Sequence, residues 1–194
     1  MSGNLPKLIL ASASPRRLDL LAQIAVKVDA VKPADINEDP ITGEIPREHA
    51  LRLAREKATK ISGSHVGKVV LAADTVVGVG RRILPKTETI DEARKCLELM
   101  SGRGHRVFTG VAIVNVDGDL SSRVVETRLK MKRLSSSELR DYLASGEWKG
   151  KAGGYGIQGR AGAFISNLIG SYSNVVGLPL FETRNLLNNA GYRR

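Results

Sequence analysis

The apolar positions of the first 77 residues change period several times, and each change marks an element. Leu8, Ile9, Leu10 and Ala11 form an unbroken apolar run, as in a buried strand. Between residues 15 and 24, Leu18, Leu21, Ala22 and Ile24 return at helical spacing, and Val26, Val28 and Ala30 then alternate like a short strand. The succession predicts a β-α-β unit. Residues 32–46 carry Asp35, Glu38, Asp39, Pro40, Gly43, Glu44 and Pro46 without a sustained period, and predict a loop with the reach to cover a site. Over 47–61, Ala50, Leu51, Ala54, Ala58 and Ile61 mark a helix whose polar positions are Arg52, Arg55, Glu56, Lys57 and Lys60. Residues 69–77 read as a buried strand broken by one carboxylate. Asp74 must therefore meet a cation or donors, or stand at a break in the strand.

Further along, Thr89 to Glu92 is a capping box ahead of a helix with Ile90, Ala93, Leu97 and Met100 on one side, a spacing that also places Cys96 in the core. Residues 111–116 and 124–132 flank Asp117-Gly118-Asp119 as a hairpin. In its second strand Val125, Thr127, Leu129 and Met131 oppose Glu126, Arg128, Lys130 and Lys132. Ser135 to Glu138 caps another helix, and a last helix covers 179–187. This order predicts an α/β fold with an elongated mixed β-sheet flanked by helices and a central cleft. No linker or repeat divides the chain, so residues 1–194 are expected to form a single domain of two closely packed lobes.

Composition narrows the partner. With 194 residues, 42% of them hydrophobic, the chain can bury a sizeable core. Thirty Lys and Arg against 20 Asp and Glu give a net charge of +10, which favours an anionic partner. Four Tyr, three Phe and one Trp are too few for a base-stacking platform, so a nucleotide ranks ahead of a nucleic acid. Cys96 is the only cysteine, so an internal disulfide and a thiolate zinc site are excluded. His49, His65 and His105 are scattered, which leaves carboxylates and a hard cation as the expected metal chemistry. No leader sequence or membrane-spanning run is evident, and the expected location is cytoplasmic, without a membrane partner.

Two segments carry candidate chemistry. Ser12-Ala13-Ser14-Pro15-Arg16-Arg17 lies between the first strand and helix. There Ser14 as N-cap, Pro15 at the first helical position, free amides and two guanidinium groups suit a phosphate. Plain helix capping and surface charge account for the same residues, so the motif needs partners elsewhere. Glycines 150, 153, 154, 156 and 159 allow close backbone approach to a ligand, with Tyr155 offering an aromatic face and Gln158 an amide for a base edge. The spacing matches neither a Walker A loop nor a dinucleotide fingerprint. By themselves Lys57 and Lys86 read as solvated lysines and Glu38 as loop charge.

Taken together, Ser12-Ala13-Ser14-Pro15-Arg16-Arg17, Leu53-Ala54-Arg55-Glu56-Lys57-Ala58, Ala73-Asp74-Thr75-Val76-Val77, Leu99-Met100-Ser101-Gly102, the run from Ala152 to Gly159 and Gly177-Leu178-Pro179-Leu180 resemble the Maf family of nucleoside triphosphate pyrophosphatases. The resemblance implies a fold like that of the inosine triphosphate pyrophosphatases. It implies hydrolysis between the α and β phosphates, a magnesium or manganese cofactor, a homodimer, and a link to septum formation. Carried over residue by residue, it makes Asp74 the catalytic acid-base residue and Glu38 a catalytic acidic residue near the phosphates, the two together ligating the metal. Lys57 and Lys86 become catalytic charge stabilisers, and Ser12, Arg16, Thr75 and Gln158 substrate-binding residues, to which the reading of the motif itself adds Ser14 and Arg17. Arg17 is alternatively a brace, paired with a carboxylate. Arg16, Thr75 and Gln158 resemble the branch acting on dTTP and UTP. A pyrophosphatase for 7-methyl-GTP or modified nucleotides and a nonenzymatic nucleic-acid binder are the alternatives. One departure stands out: the family's Gly-Lys-Pro is here Pro85-Lys86-Thr87, with proline on the other side of the lysine.

Overall fold

The computed structural model describes residues 6–193. In chain order its elements are β1 (Leu8–Leu10), α1 (Pro15–Gln23), β2 (Ala30–Val31), α2 (Pro46–Ser62), β3 (Val69–Val79), β4 (Arg82–Leu84), β5 (Lys86–Thr87), α3 (Ile90–Met100), β6 (Gly104–Val114), β7 (Leu120–Met131), α4 (Ser136–Ser145), β8 (Lys151–Ala152), a 3-10 turn (Arg160–Phe164), β9 (Ile165–Ile169), α5 (Tyr172–Val176) and α6 (Leu180–Asn189). Seven strands form one mixed sheet in the order β2-β1-β3-β6-β7-β9, with β4 on the far end of β3, while β5 and β8 pair separately. The β2-β1-β3 portion is parallel and the β3-β6-β7-β9 portion antiparallel.

Alternation along β3 divides the sheet's two faces. Val70, Ala72 and Val76 face α2, where Ala50, Ala54, Ala58 and Ile61 pack on them together with Ala112 and Phe108. Contact is close because β6 presents Gly110, where a Cβ would lie 2.2 Å from the Ala50 carbonyl oxygen. Val69, Leu71, Ala73 and Val77 face the other way, onto two apolar clusters. One gathers α1 and α6 through Leu20, Leu21, Leu186 and Leu187, and the other gathers α3 and α4 through Leu97, Met100, Tyr142 and Leu143.

The β-α-β start, the α2 helix, both capping boxes and the hairpin follow the sequence pattern. In α1 the buried side chains are Leu20, Leu21 and Arg17 while Ala22 is exposed, and in α3 Cys96 is buried while Ile90 is exposed. The strand expected from Val26 onward begins only at Ala30. β6 begins at Gly104, well before the residue 111 at which the alternating pattern becomes visible. The strands β4, β5, β8 and β9, of two to five residues, were not read from the sequence, because so few positions establish no period.

Candidate active site

A gap in strand pairing creates the site. β1 pairs with β3 through Leu71, and β4 pairs with β3 from Val77 onward, so one edge of β3 carries no partner strand between them. Asp74 and Thr75 stand in that gap and point to opposite faces, as neighbours in a strand must. A cavity of about 450 Å³ opens there, within the usual range for small-molecule sites.

Asp74 faces α2. It is 2% exposed, and its Oδ1 accepts a hydrogen bond of 2.6 Å from the Lys57 ammonium. Among the described residues no protein donor reaches its Oδ2. Lys57, at a position the helical pattern assigned to the polar face, is instead buried, because the turn of α2 that carries it lies over the broken strand edge. The same ammonium lies 2.5 Å from Glu38 Oε1, and the second oxygen of Glu38 pairs with Lys86. Glu38 and Asp74, separated by 36 positions in the chain, thus meet through one lysine. α2 also holds the loop that brings Glu38 in. Lys60 donates to the Asp35 carbonyl, Arg52 donates to the Asp39 carbonyl at 3.0 Å, and Arg52 and His49 both bind the Glu44 carboxylate. Burial pushes the Glu38 carboxyl up, but the hydrogen bonds and charges of Lys57 and Lys86 outweigh it and hold the group at about 2.

The turn after β1 supplies the opposite wall. Ser12 Oγ accepts from the Ser14 amide at 3.2 Å and from Arg17 Nη1 at 2.7 Å. Arg17 is buried; its Nε donates to the Gly177 carbonyl at 2.9 Å and its Nη2 to Thr75 Oγ1 at 3.4 Å. It braces the site, as in the alternative reading of this residue, but through hydroxyls and a carbonyl rather than through a carboxylate. Ser14 is the N-cap of α1, but its side chain makes no capping bond. Pro15 has no N–H, the Ser14 amide is taken by Ser12 Oγ and the Arg17 amide returns to the Ser14 carbonyl, so among the described residues the Arg16 amide, with those of Ser12 and Ala13, has no protein acceptor. Arg16 lines the cavity with its side chain half-exposed.

The glycine-rich segment forms the third wall. Gly153 and Gly154 have φ of +66° and +71° and press against Val77 and Ala93, which a side chain at either position would obstruct. Gly153 N donates to the Pro85 carbonyl at 2.9 Å, so the displaced proline anchors the loop while Lys86 still reaches Glu38. Tyr155 is buried rather than presenting an open face. Its hydroxyl lies 2.7 Å from His105 Nε2, and the two rings meet edge to face at 5.4 Å. Gln158 lies exposed at the cavity's rim. Lys151 lines the cavity too, and burial, then Arg16, lower its pKa. It received no role from the sequence; a lysine set inside a glycine run was the available signal.

All ten sequence-derived candidates, Ser12, Ser14, Arg16, Arg17, Glu38, Lys57, Asp74, Thr75, Lys86 and Gln158, line this one cavity. Among the described residues no group of three or more His, Cys, Asp or Glu side chains is gathered. A hard cation fits the donor set nonetheless. Magnesium keeps several waters and binds through one or two carboxylates plus phosphate oxygens, and Glu38 and Asp74 supply two carboxylates beside a basic wall.

A family model described as Maf-like protein matches residues 7–190. The chain is 64% identical over 187 residues to the dTTP/UTP pyrophosphatase of Maricaulis maris (strain MCS10), a match covering 96% of this chain and 89% of that one. It is 61% identical over 188 residues to the dTTP/UTP pyrophosphatase of Caulobacter vibrioides (strain ATCC 19089 / CIP 103742 / CB 15), covering 97% of each. Among solved structures, a HAM1 protein from Coxiella burnetii shares the fold at a TM-score of 0.50 and 17% identity, over 95% of this chain and 100% of that one. The family match runs through the β1–α1 turn, α2, the broken edge of β3 and the glycine-rich wall alike, and the chain belongs to the Maf-like protein family.

Proposed function

We propose that this protein hydrolyses nucleoside triphosphates between the α and β phosphates, with dTTP and UTP preferred, releasing a nucleoside monophosphate and pyrophosphate. The observation that carries this reading is the Lys57 ammonium held between the Glu38 and Asp74 carboxylates in a cavity walled by Arg16, Lys86 and Lys151. Such a site offers a proton acceptor and positive charge at one place, which phosphoryl transfer to water requires. The preference for dTTP and UTP rests on the two relatives bearing that name.

In this reading the triphosphate lies along Arg16, Lys86 and Lys151, with the Arg16 amide and guanidinium as donors. Asp74, whose Oδ2 is free of protein donors, takes a proton from the attacking water as its oxygen bonds to the α phosphorus. The bond from that phosphorus to the bridging oxygen breaks, and pyrophosphate leaves. Lys57 fixes the Asp74 carboxylate and stabilises charge developing on the phosphoryl oxygens. Magnesium or manganese, held by Glu38 and Asp74, would supply charge neutralisation and orientation of the phosphates. Arg17 and Ser12 hold the turn in shape, while Thr75 and Gln158 face the nucleoside. An amide at the rim satisfies a pyrimidine edge, and a base whose polar edge it leaves unmatched is penalised.

No helix among the described residues is long and apolar enough to cross a membrane, and we place the reaction in the cytoplasm, with a homodimer as the working form. The uncharged stretch from Ala161 to Phe181 supports self-association, since copies of a chain with net charge +10 meet most easily where neither displays charge. The test is product-resolved hydrolysis of dTTP, UTP, 7-methyl-GTP and the ordinary purine triphosphates, with and without magnesium or manganese. Monophosphate and pyrophosphate from dTTP or UTP in the presence of the cation are expected. Faster turnover of 7-methyl-GTP would overturn the preference, and inactivity on every nucleotide would overturn the reaction.

A further inference from the structure

A second cavity, of about 600 Å³, opens on the α2 face of the sheet and shares no lining residue with the first. Four arginines from four separate segments line it: Arg47 in the first turn of α2, Arg81 between β3 and β4, Arg106 on β6 and Arg128 on β7. Arg106 and Arg128 are direct cross-strand partners, an arrangement of like charges that weakens an antiparallel ladder. A single carboxylate, Glu126, serves both, with Oε1 at 3.3 Å from Arg106 Nε and 3.0 Å from Arg128 Nε. Arg47 and Arg81 form no ion pair among the described residues. The cavity therefore gathers four positive charges against one negative, in a position where the fold itself gains nothing from the excess.

We propose that this cleft binds an oligophosphate anion. The guanidinium groups are the side chains best matched to phosphate oxygens, through paired N–H donors in a plane. Their spread over four segments suits a chain of linked phosphates better than one isolated phosphate. The rest of the lining excludes a nucleoside as the recognised part. It contains no amide or hydroxyl side chain, its Phe108 is buried under α2, and its His105 is 3% exposed with Nε2 turned to the Tyr155 hydroxyl, which leaves arginine and Glu126 as the accessible polar side chains to meet a base or a sugar. α2 joins the two cavities, with Arg47 at one and Lys57 at the other, so an anion at the first turn acts on the helix that carries the catalytic lysine.

The test is calorimetric titration of the full-length protein with inorganic tripolyphosphate at low ionic strength, with dTTP and a short duplex oligonucleotide as comparison ligands. Wild type should bind one more equivalent of tripolyphosphate than Arg47→Ser/Arg81→Ser, or that equivalent should weaken about tenfold or more in the variant, as loss of charge-assisted hydrogen bonds requires. Turnover at the catalytic cavity should be the same in both proteins. Arg128→Thr supplies an independent measurement that needs no count of sites. Without anion it should melt no lower than wild type, because a like-charge pair has been removed, and it should show a smaller rise in melting temperature when tripolyphosphate is added. Equal stoichiometry and affinity in wild type and the double variant would overturn the proposal. So would a duplex oligonucleotide that binds the cleft more tightly than tripolyphosphate, which would reassign it to nucleic acid.

Discussion

Asp74 and Lys57 form a buried ion pair whose energetic worth to the fold differs from its proposed worth to the reaction. Taking two charges out of water is costly, and an apolar pair of equal volume would serve the fold as well. Asp74→Asn keeps the volume while removing the charge and the proton acceptor. Lys57 retains Glu38 at 2.5 Å, so the ammonium is not left wholly unpaired. We expect turnover to fall about 10²- to 10⁴-fold, while stability drops by about 1–3 kcal/mol. Steady-state kinetics beside urea denaturation of the same preparation separates the two effects, and near-normal hydrolysis would remove Asp74 from the mechanism. His105 gives a different signature. Burial lowers its pKa to about 4, below the ordinary 6.5, so the unfolded chain takes up the proton first as pH falls. Its contribution is whole above about pH 6.5 and is lost between there and about pH 4, with a full size of about 3 kcal/mol. Urea midpoints at pH 7, 5.5 and 4.5 should show this decline, and His105→Gln should flatten it. Glu38 acts in a lower window. With its carboxyl held at about 2 against the usual 4.5, its bridges to Lys57 and Lys86 contribute in full above about pH 4.5, and that contribution is lost as pH falls from there through about 2.

At the scale of elements, the site depends on how closely α2 approaches the sheet. Gly110 permits that approach, since a methyl group there would meet the Ala50 carbonyl oxygen at 2.2 Å, and both atoms belong to rigid elements. Gly110→Ala should therefore cost about 1–3 kcal/mol through overpacking and should also depress turnover, because pushing α2 outward withdraws Lys57 from Asp74. A variant with normal kinetics at reduced stability would separate the helix position from the reaction. The sequence conveys α2 through its alanine spacing and conveys β3 through its apolar run, but the distance between them depends on a glycine in a third element. The site is legible to the same degree. Asp74 stands out because the run around it is apolar apart from Thr75, whereas Lys57 reads as an ordinary polar helical position and Glu38 as loop charge. Only the break in pairing along β3, which no local pattern expresses, turns those three into one cluster. Family motifs identified them where periodicity did not. Lys151 escaped both, and the cross-strand meeting of Arg106 with Arg128 depends on a register that the hairpin pattern, visible only from residue 111, does not reach.

For the whole molecule, the distribution of charge matters more than its total. A net charge of +10 keeps copies apart in dilute salt, yet no residue from Ala161 to Phe181 is charged, and that stretch contains β9, at the end of the sheet, and α5. Ile169, Tyr172 and Phe181 in it are large apolar side chains left exposed, by 65%, 51% and 75%. Ser173 Oγ accepts from the Leu180 amide at 3.1 Å, which ties the start of α5 to the start of α6 and brings Tyr172 and Phe181 to the same region of the surface. The inner side of the same segment is the floor of the proposed active site, where the Gly177 carbonyl holds Arg17. A second copy docked on this face would thus steady the turn that shapes the phosphate wall. Phe181→Arg places a like charge on both copies at the face where they would meet, and it leaves the monomer's core untouched because the side chain is exposed. Light scattering of the eluting peak should report a dimer for wild type and a monomer for the variant, with the melting temperature of the variant becoming independent of protein concentration. A variant that remains dimeric, or a wild type that is monomeric at the same concentration, would assign this uncharged face to another partner.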